Sequence, residues 1–161
     1  MAVEREIRFR VTEGTPPAGG VRMEQAYLLR GPVTVRVRVA EGRGARMTVK
    51  APRGDGRWEW EWRVPESFAR ALLRLPLPCV RKTRRREGRL EVDSLAWPPE
   101  IVLVELELAD GEGPDLRDAA GRVAFMEAHR PAWVRAWHDV TDDPAYTNAW
   151  LARRAPREAV R

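Results

Sequence analysis

The stretch RWEWEWR, residues 57–63, alternates charged side chains with tryptophans. Successive side chains of a β-strand point to opposite faces, so a period of two predicts a strand with one charged and one apolar face. Five further segments also carry charged residues at every second position: Glu4–Arg8, Arg36–Arg38, Lys82–Arg86, Glu91–Asp93 and Glu105–Glu107. Six such strands would collect carboxylates and cations on one side of one sheet.

The strand pattern predicts the overall fold. Closely spaced strands and turns indicate an antiparallel arrangement. About eight strands are predicted, at 4–11, 21–29, 33–39, 46–50, 57–64, 80–86, 89–95 and 101–109, a number that suits a closed barrel. Helices are predicted at 65–75, 115–127 and 145–154. We therefore expect an α+β, mainly β protein: a closed eight-stranded antiparallel β-barrel with a few flanking helices. With its charged side inward, the barrel would be a polar tunnel that holds a divalent metal and a polyanion together.

Composition limits the class of protein. The chain has 161 residues and a formal charge of +5. We expect one domain over residues 1–155 and a frayed tail at 156–161. The single cysteine, Cys79, leaves no partner for an internal disulfide, which is typical of a reducing compartment. No apolar run approaches the roughly 20 residues of a membrane span, and the first residues show no apolar signal segment. A cytoplasmic protein without a membrane partner is expected.

The acidic pairs are candidate metal ligands. In a strand, Glu4 and Glu6 lie on one face about 6 to 7 Å apart, and the same spacing applies to two later pairs, Glu59 with Glu61 and Glu105 with Glu107. Hard divalent cations take such oxygen ligands. The alternative is a solvated sheet face with cross-strand ion pairs to arginines. The tryptophan face argues for the first interpretation, because helices would have to cover it and its charged side would then face inward.

The cations share this alternation. Arg36 and Arg38 lie on one strand face, as do Lys82, Arg84 and Arg86 on another. Arginine presents a planar fork to phosphate oxygens, and lysine a compact point charge. Converging cationic strands opposite carboxylates would grip a short chain of phosphates, so no specific nucleic-acid partner is expected. The sequence has no Walker-type loop, no Gly-x-Ser-x-Gly elbow and no cysteine–histidine metal spacing.

Nine short motifs in consistent order resemble the triphosphate tunnel metalloenzyme (CYTH) superfamily, which includes inorganic triphosphatases, thiamine triphosphatases and class IV adenylate cyclases. The first is Glu4-Arg5-Glu6-Ile7-Arg8, where the family has Glu-x-Glu-x-Lys. The others are Gln25-Ala26-Tyr27-Leu28, Arg36-Val37-Arg38, Thr48-Val49-Lys50-Ala51-Pro52, Arg57-Trp58-Glu59-Trp60-Glu61, Lys82-Thr83-Arg84, Glu91-Val92-Asp93, Glu105-Leu106-Glu107, and the set Val140, Thr141, Tyr146 and Asn148. Both lysines of the chain, Lys50 and Lys82, fall on family lysine positions.

The resemblance implies an eight-stranded antiparallel tunnel in which a triphosphate is hydrolysed or transferred with Mg²⁺ or Mn²⁺. The implied metal ligands are Glu4, Glu6, Asp93, Glu105 and Glu107. The implied catalytic residues are Glu4, Glu6, Arg8, Glu59, Glu61 and Glu105, with one glutamate orienting the attacking water. The implied phosphate-binding residues are Arg36, Arg38, Lys50, Lys82 and Arg84.

One position departs from the family pattern. Arg8 stands where the family has lysine, and an arginine is a far poorer proton donor, although it still binds phosphate. The expected substrate is a small-molecule triphosphate, with inorganic tripolyphosphate expected before an organic one. Two alternatives stay open: a class IV adenylate cyclase, and a barrel that binds polyphosphate or nucleotides without turnover. A homodimer also stays open.

Overall fold

The computed structural model describes residues 2–54, 56–109 and 111–155, with side chains from residue 5 onwards. The side chain of Glu4 and the tail predicted at 156–161 lie outside the described residues. The elements are β1 (Ala2–Gly14), β2 (Val21–Leu29), β3 (Thr34–Ala40), β4 (Gly44–Arg53), β5 (Gly56–Val64), α1 (Glu66–Leu73), β6 (Cys79–Glu87), β7 (Leu90–Leu95), β8 (Val102–Leu108), α2 (Ala119–Glu127), β9 (Val134–Asp139), a 3-10 turn (Pro144–Tyr146) and α3 (Asn148–Arg154).

The described strands form one antiparallel sheet, so the fold is mostly β. Neighbouring strands pair in the order β5-β4-β3-β2-β6-β7-β8-β1-β9. Strand β1 also pairs with β5, through Ala2 opposite Glu59, Val3 opposite Trp58 and Glu4 opposite Arg57. All eight predicted strands are present, and the antiparallel prediction is confirmed.

Strand β9 was not predicted from the sequence. Its residues, Val134–Asp139, read VRAWHD and show no clean alternation of polar and apolar side chains. The strand forms because it pairs alongside the long strand β1, with Phe9 opposite Asp139 and Val11 opposite Trp137. Pairing with a strand distant in sequence therefore decides the conformation of this segment, and local propensity does not.

Two apolar clusters lie on the sheet face opposite the charged side chains. Ile7, Phe9 and Val11 of β1 pack with Val104 and Leu106 of β8 and with residues of α2 and β9. Val37, Val39 and Ala45 pack against α1, whose Ala69 is fully buried. The helices therefore cover this face in two places.

Helix α3 packs on the other face of the sheet. Val80, Leu95 and Leu103 lie two residues from Lys82, Asp93 and Glu105 on the same strands, and therefore share their face. These apolar side chains pack against Leu151 and Ala152 of α3. One end of this face of the sheet is thus apolar and is covered by a helix.

The expectation that helices cover the tryptophan face was wrong. Trp60 and Trp62 are 40% and 45% exposed. Helix α1 packs mainly on β2, β3 and β4. Trp58 is instead partly covered by the guanidinium of Arg53, 3.7 Å from the ring centre. The alternation of β5 therefore correctly predicted a strand, but the prediction that helices cover its tryptophans was wrong.

In the part of the chain that the structure describes, no helix has both the length and the apolar character needed to cross a membrane.

The burial of Phe9 leads to a stability prediction. Phe9 is 1% exposed, and its ring centre lies 5.0 Å from that of Trp137. Phe9→Ala would leave a cavity between β1 and β9 and lower the free energy of unfolding by about 3–5 kcal/mol, measured by urea denaturation. Phe68→Ala is the matched control: Phe68 is 47% exposed, so a change within about 0.5 kcal/mol is expected. Equal effects of the two substitutions would contradict this packing.

Candidate active site

Strand register brings oppositely charged side chains together on one face of the sheet, called here the charged face and defined by Arg8, Arg36, Glu59, Arg84 and Glu105. Arg8 is directly opposite Glu105, Lys50 opposite Glu59, and Arg84 opposite Asp93. Side chains in such positions are close enough for direct ion pairs. These three pairs come from six strands, and Arg36 of β3 adds a seventh strand to the charged face.

Asp93 lies at the buried end of the charged face, and its side chain is completely inaccessible. Its Oδ1 accepts a hydrogen bond from Arg84 Nε at 2.6 Å, and its Oδ2 accepts from Arg84 Nη2 at 2.6 Å and from Lys82 Nζ at 2.5 Å. Burial alone would raise the pKa of Asp93, but Lys82 and Arg84 outweigh it and hold the pKa below its usual value. Asp93 is thus a buried anion that fixes two cations.

Glu105 joins this group from β8. Its Oε1 accepts a hydrogen bond from Arg8 Nε at 2.7 Å, and its Oε2 accepts from Arg84 Nη2 at 3.1 Å. Burial acts to raise the pKa of Glu105, but Arg8 and then Arg84 outweigh it, so the pKa lies well below the usual range. Arg84 also donates to Glu91, and therefore bridges carboxylates from β7 and β8.

A second group of charges surrounds Glu61 on β5. Its Oε1 accepts from Arg46 at 2.7 Å, and its Oε2 accepts from Thr48 at 3.0 Å and from Arg38 at 3.2 Å. Burial would raise the pKa of Glu61, yet Arg38 and the hydrogen bonds lower it overall. Two residues earlier, Glu59 lies 3.1 Å from Lys50 and 3.9 Å from Arg36, so it is held less tightly than Glu61.

Two cavities lie along the charged face. The larger has a volume of about 1600 Å³, and Arg38, Arg84 and Glu61 are among its lining residues. The smaller has a volume of about 280 Å³, and Arg8 is among its lining residues. Arg36 lines both cavities, so the two cavities approach each other at this residue.

The predicted site residues divide into three groups. The larger cavity is lined by Arg36, Arg38, Glu59, Glu61, Arg84 and Glu107. The smaller is lined by Glu6, Arg8, Arg36 and Lys50. Lys82, Asp93 and Glu105 line neither cavity and are 4%, 0% and 6% exposed. Direct phosphate binding by Lys82 stays a prediction, since this structure buries its ammonium group between Asp93 and Asn148.

One pair of described carboxylates is suited to a divalent metal ion. Glu6 on β1 is directly opposite Glu107 on β8, and one oxygen of Glu6 accepts a hydrogen bond from Arg8. No group of three or more metal-type side chains occurs in the described part of the chain. However, Mg²⁺ usually takes only one or two carboxylates, with water and substrate phosphate as its other ligands. The Glu6–Glu107 pair therefore fits such an ion.

The other proposed ligands are less suitable. Both oxygens of Asp93 and of Glu105 already accept hydrogen bonds from arginine or lysine. A metal ion would have to displace these cations from a buried position. The geometry is therefore more consistent with Asp93 and Glu105 positioning the cations than with their binding a metal.

Sequence reasoning missed two contacting residues. Arg46 binds Glu61 and lies on the same strand face as Thr48 and Lys50, so the alternation of β4 could have revealed it. Asn148 accepts a hydrogen bond from Lys82 Nζ at 3.2 Å and lines the smaller cavity. It had been noted only as a motif position. Asn148 begins α3, and no local pattern indicates that this helix reaches the charged face.

Comparison with solved structures identified proteins of similar architecture. A structure described as the inorganic triphosphatase NE1496 matches with a TM-score of 0.59 and 26% identity, over 97% of this chain and 98% of that one. The resemblance read from the motifs is confirmed. Another structure, of the hypothetical protein NE1496, gives a TM-score of 0.59 and 28% identity over 95% of this chain and 99% of that chain.

A more distant match shows the fold alone. A conserved hypothetical protein from Pyrococcus furiosus has a TM-score of 0.50 and 16% identity, over 78% of this chain and 87% of that one. No protein-family model matches the sequence, and no curated protein matches it significantly.

The chain has only two lysines, which makes the titration of Lys82 measurable. Burial lowers the pKa of Lys82 to about 8; Arg84 acts in the same direction, and Asp93 acts against it. In protein labelled with ¹³C-lysine, one of the two Cε signals should move with a midpoint near pH 8, and Lys82→Arg should remove that signal. A Lys82 signal that titrates near the usual value of about 10.4 would contradict this environment.

The lowered pKa of Lys82 also determines how the stability of the fold changes with pH. The folded pKa of about 8 is below the unfolded value of about 10.4, so the unfolded chain binds more protons between these pH values. The free energy of unfolding contributed by Lys82 therefore rises with pH across this window.

Asp93 leads to a third prediction. Asp93→Asn would leave Lys82 and Arg84 buried without their shared anion, and should lower the free energy of unfolding by about 3–5 kcal/mol in urea denaturation. Adding Lys82→Met should restore part of this loss, because it removes one of the uncompensated charges. Asp118→Asn is the control, since Asp118 is exposed and its side chain caps no helix hydrogen bond. A loss no larger than that of the control would contradict the role of Asp93.

Proposed function

We propose that this protein is a divalent-metal-dependent triphosphatase that hydrolyses a small-molecule triphosphate, inorganic tripolyphosphate first, on its charged face. The observation that carries this proposal is the larger cavity, where Arg36, Arg38 and Arg84 converge with Glu107. Such a cavity combines phosphate-binding forks with a carboxylate suited to a hard cation. The similarity to an inorganic triphosphatase supports the same chemistry.

We further propose that β1 and β5 close the sheet into an eight-stranded barrel around the charged face. The pairing of residues 2–4 with residues 57–59 supports closure, because these two strands are otherwise distant in the strand order. In a closed barrel the two cavities would be successive parts of one tunnel. A tunnel with a low-dielectric wall strengthens the attraction between its arginines and a phosphate chain.

The charge of the larger cavity favours an anionic ligand. Among its described lining residues, arginines outnumber glutamates by eight to four. The inner three, Arg36, Arg38 and Arg84, have side chains only 13–16% exposed, so they are held in place and lose little freedom on binding. Phosphoryl transfer depends on such positioning and on neutralising the charge of the phosphoryl oxygens.

Glu6 and Glu107, with Glu4 of the same motif, would hold the Mg²⁺ or Mn²⁺ ion. When bound, the ion would neutralise phosphate charge and polarise a phosphoryl oxygen. Glu6 also accepts a hydrogen bond from Arg8, which fixes the direction of its carboxylate. Asp93 and Glu105 are not proposed as metal ligands, because they hold Lys82, Arg84 and Arg8 in position.

Glu59 is the best candidate for orienting the attacking water. It lines the larger cavity, and its nearest cation, Lys50, contacts only one of its oxygens, at 3.1 Å. Both oxygens of the neighbouring Glu61 are occupied by Arg38, Arg46 and Thr48, so Glu61 serves to position Arg38. A carboxylate with a free lone pair in a phosphate-binding cavity can accept a hydrogen bond from water.

The function is tested by phosphate release from tripolyphosphate with Mg²⁺ or Mn²⁺. The wild-type protein should release phosphate, and excess EDTA should abolish release. Glu6→Gln should reduce turnover by more than about a hundredfold, a larger loss than the tenfold to hundredfold typical of groups that only orient a ligand. Glu13→Gln is the matched control, because Glu13 lies on the same strand, is exposed and pairs only with Arg135 among the described residues. Its turnover should equal that of the wild type.

Wild-type turnover in Glu6→Gln would overturn the metal assignment. Cyclic AMP formed from ATP would instead favour the cyclase alternative. Tight binding of tripolyphosphate without product would favour a binding protein.

A further inference from the structure

A third cavity lies away from the charged face, and no role has been assigned to it. Its volume is about 760 Å³, and it is formed by the end of α1, the segment that follows it, and parts of β2, β6 and α3. It shares no described lining residue with the two cavities of the charged face. This volume lies within the range of about 300–1,000 Å³ that is usual for small-molecule sites.

The wall of this cavity is strongly basic. Its described lining residues include five arginines and one acidic residue, Glu24. Arg81 lies 3.5 Å from Glu24, and Arg70 pairs with Glu66 at 2.6 Å. The other three are Arg30, Arg74 and Arg153, whose side chains form no ion pair or hydrogen bond with any described residue. Three uncompensated guanidinium groups around one cavity favour an anionic ligand.

Apolar side chains also line this cavity. Leu73, Leu75, Leu77 and Pro78 line it, and Leu75 is 50% exposed. Exposing these side chains to water costs free energy that an apolar group could recover on binding. A bare phosphate or tripolyphosphate would use the arginines and leave this surface uncovered. The combination therefore selects a ligand with both an anionic end and an apolar body.

We propose that this cavity binds a small amphiphilic anion, an aliphatic carboxylate whose head group pairs with Arg74 and Arg153 and whose chain covers Leu75. Two parallel hydrogen bonds from an arginine fork match the geometry of a carboxylate. A cavity of about 760 Å³ has room for a single chain, whereas a lipid surface would need a convex or flat basic patch. The site is independent of the proposed triphosphatase, since it lies outside the charged face.

The test is isothermal titration calorimetry of the full chain with hexanoate, octanoate and decanoate. Affinity should rise by about fourfold for each added methylene, as expected for burial of the chain. Acetate, which lacks the chain, and 1-octanol, which lacks the charge, should bind at least about tenfold more weakly than octanoate. Saturating tripolyphosphate should leave octanoate binding unchanged.

Variants then locate the site. Arg74→Gln and Arg153→Gln should each weaken octanoate binding by about tenfold or more, because each removes a charge-assisted hydrogen bond. Arg135→Gln is the matched control: Arg135 is exposed and lies outside the cavity, and its variant should bind as the wild type does. Neither cavity variant should alter phosphate release from tripolyphosphate.

Four outcomes would overturn the proposal: no binding at millimolar octanoate, no dependence on chain length, competition by tripolyphosphate, or equal affinity in the cavity variants and the control. Competition by tripolyphosphate would assign the anion to the charged face. If the proposed triphosphatase activity fails while octanoate binds as described, the two proposals are separated.

Discussion

The structure depends on the bridging position of Arg84. Its guanidinium holds Asp93 with two parallel hydrogen bonds and reaches Glu105 and Glu91, so it ties β6 to β7 and β8. Burial acts to lower the pKa of Arg84, and the surrounding carboxylates more than reverse this effect. Because every buried charge here has a partner of opposite sign, the desolvation cost is compensated only while the whole set is present. The group formed by Arg8, Lys82, Arg84, Asp93 and Glu105 is therefore a connected network and not a collection of separate ion pairs.

A sheet with a charged face must obtain its hydrophobic stabilisation elsewhere. Ile7 and Phe9 alternate with Glu6 and Arg8 on β1, so the same strand contributes to the apolar core and to the candidate active site. Helix α3 adds a second effect, because it packs apolar side chains beside Lys82 and contributes Asn148 to that lysine. This packing excludes water from the buried end of the charged face, which lowers the pKa of Lys82. The packing of α3 thus both stabilises the fold and lowers the pKa of Lys82.

Alternation predicted most of the sheet and the composition of the candidate site, because strand geometry itself places every second residue on one face. Alternation could not predict which other elements pack against the sheet or pair with its strands. The exposure of Trp60 and Trp62 depends on how far α1 extends, and the strand Val134–Asp139 exists through its pairing with β1. The sequence also could not show which carboxylate is held less tightly. Glu59 and Glu61 are equivalent in the pattern and differ only through the cations that register brings to each.

Arg38 occupies an electrostatically unfavourable position on the charged face. Burial, and then the like charge of Arg36, lower the pKa of Arg38, and Glu61 compensates only in part. Two arginines on one strand are thus kept close together at an electrostatic cost. A polyanion in the cavity would remove that cost, and it would bind to cations already oriented by Glu59 and Glu61. Orientation before binding is what makes electrostatic stabilisation effective, since no reorganisation is needed when charge develops on the ligand. Under the proposed function, the carboxylates of β5 would therefore support phosphate binding although their own charge opposes it.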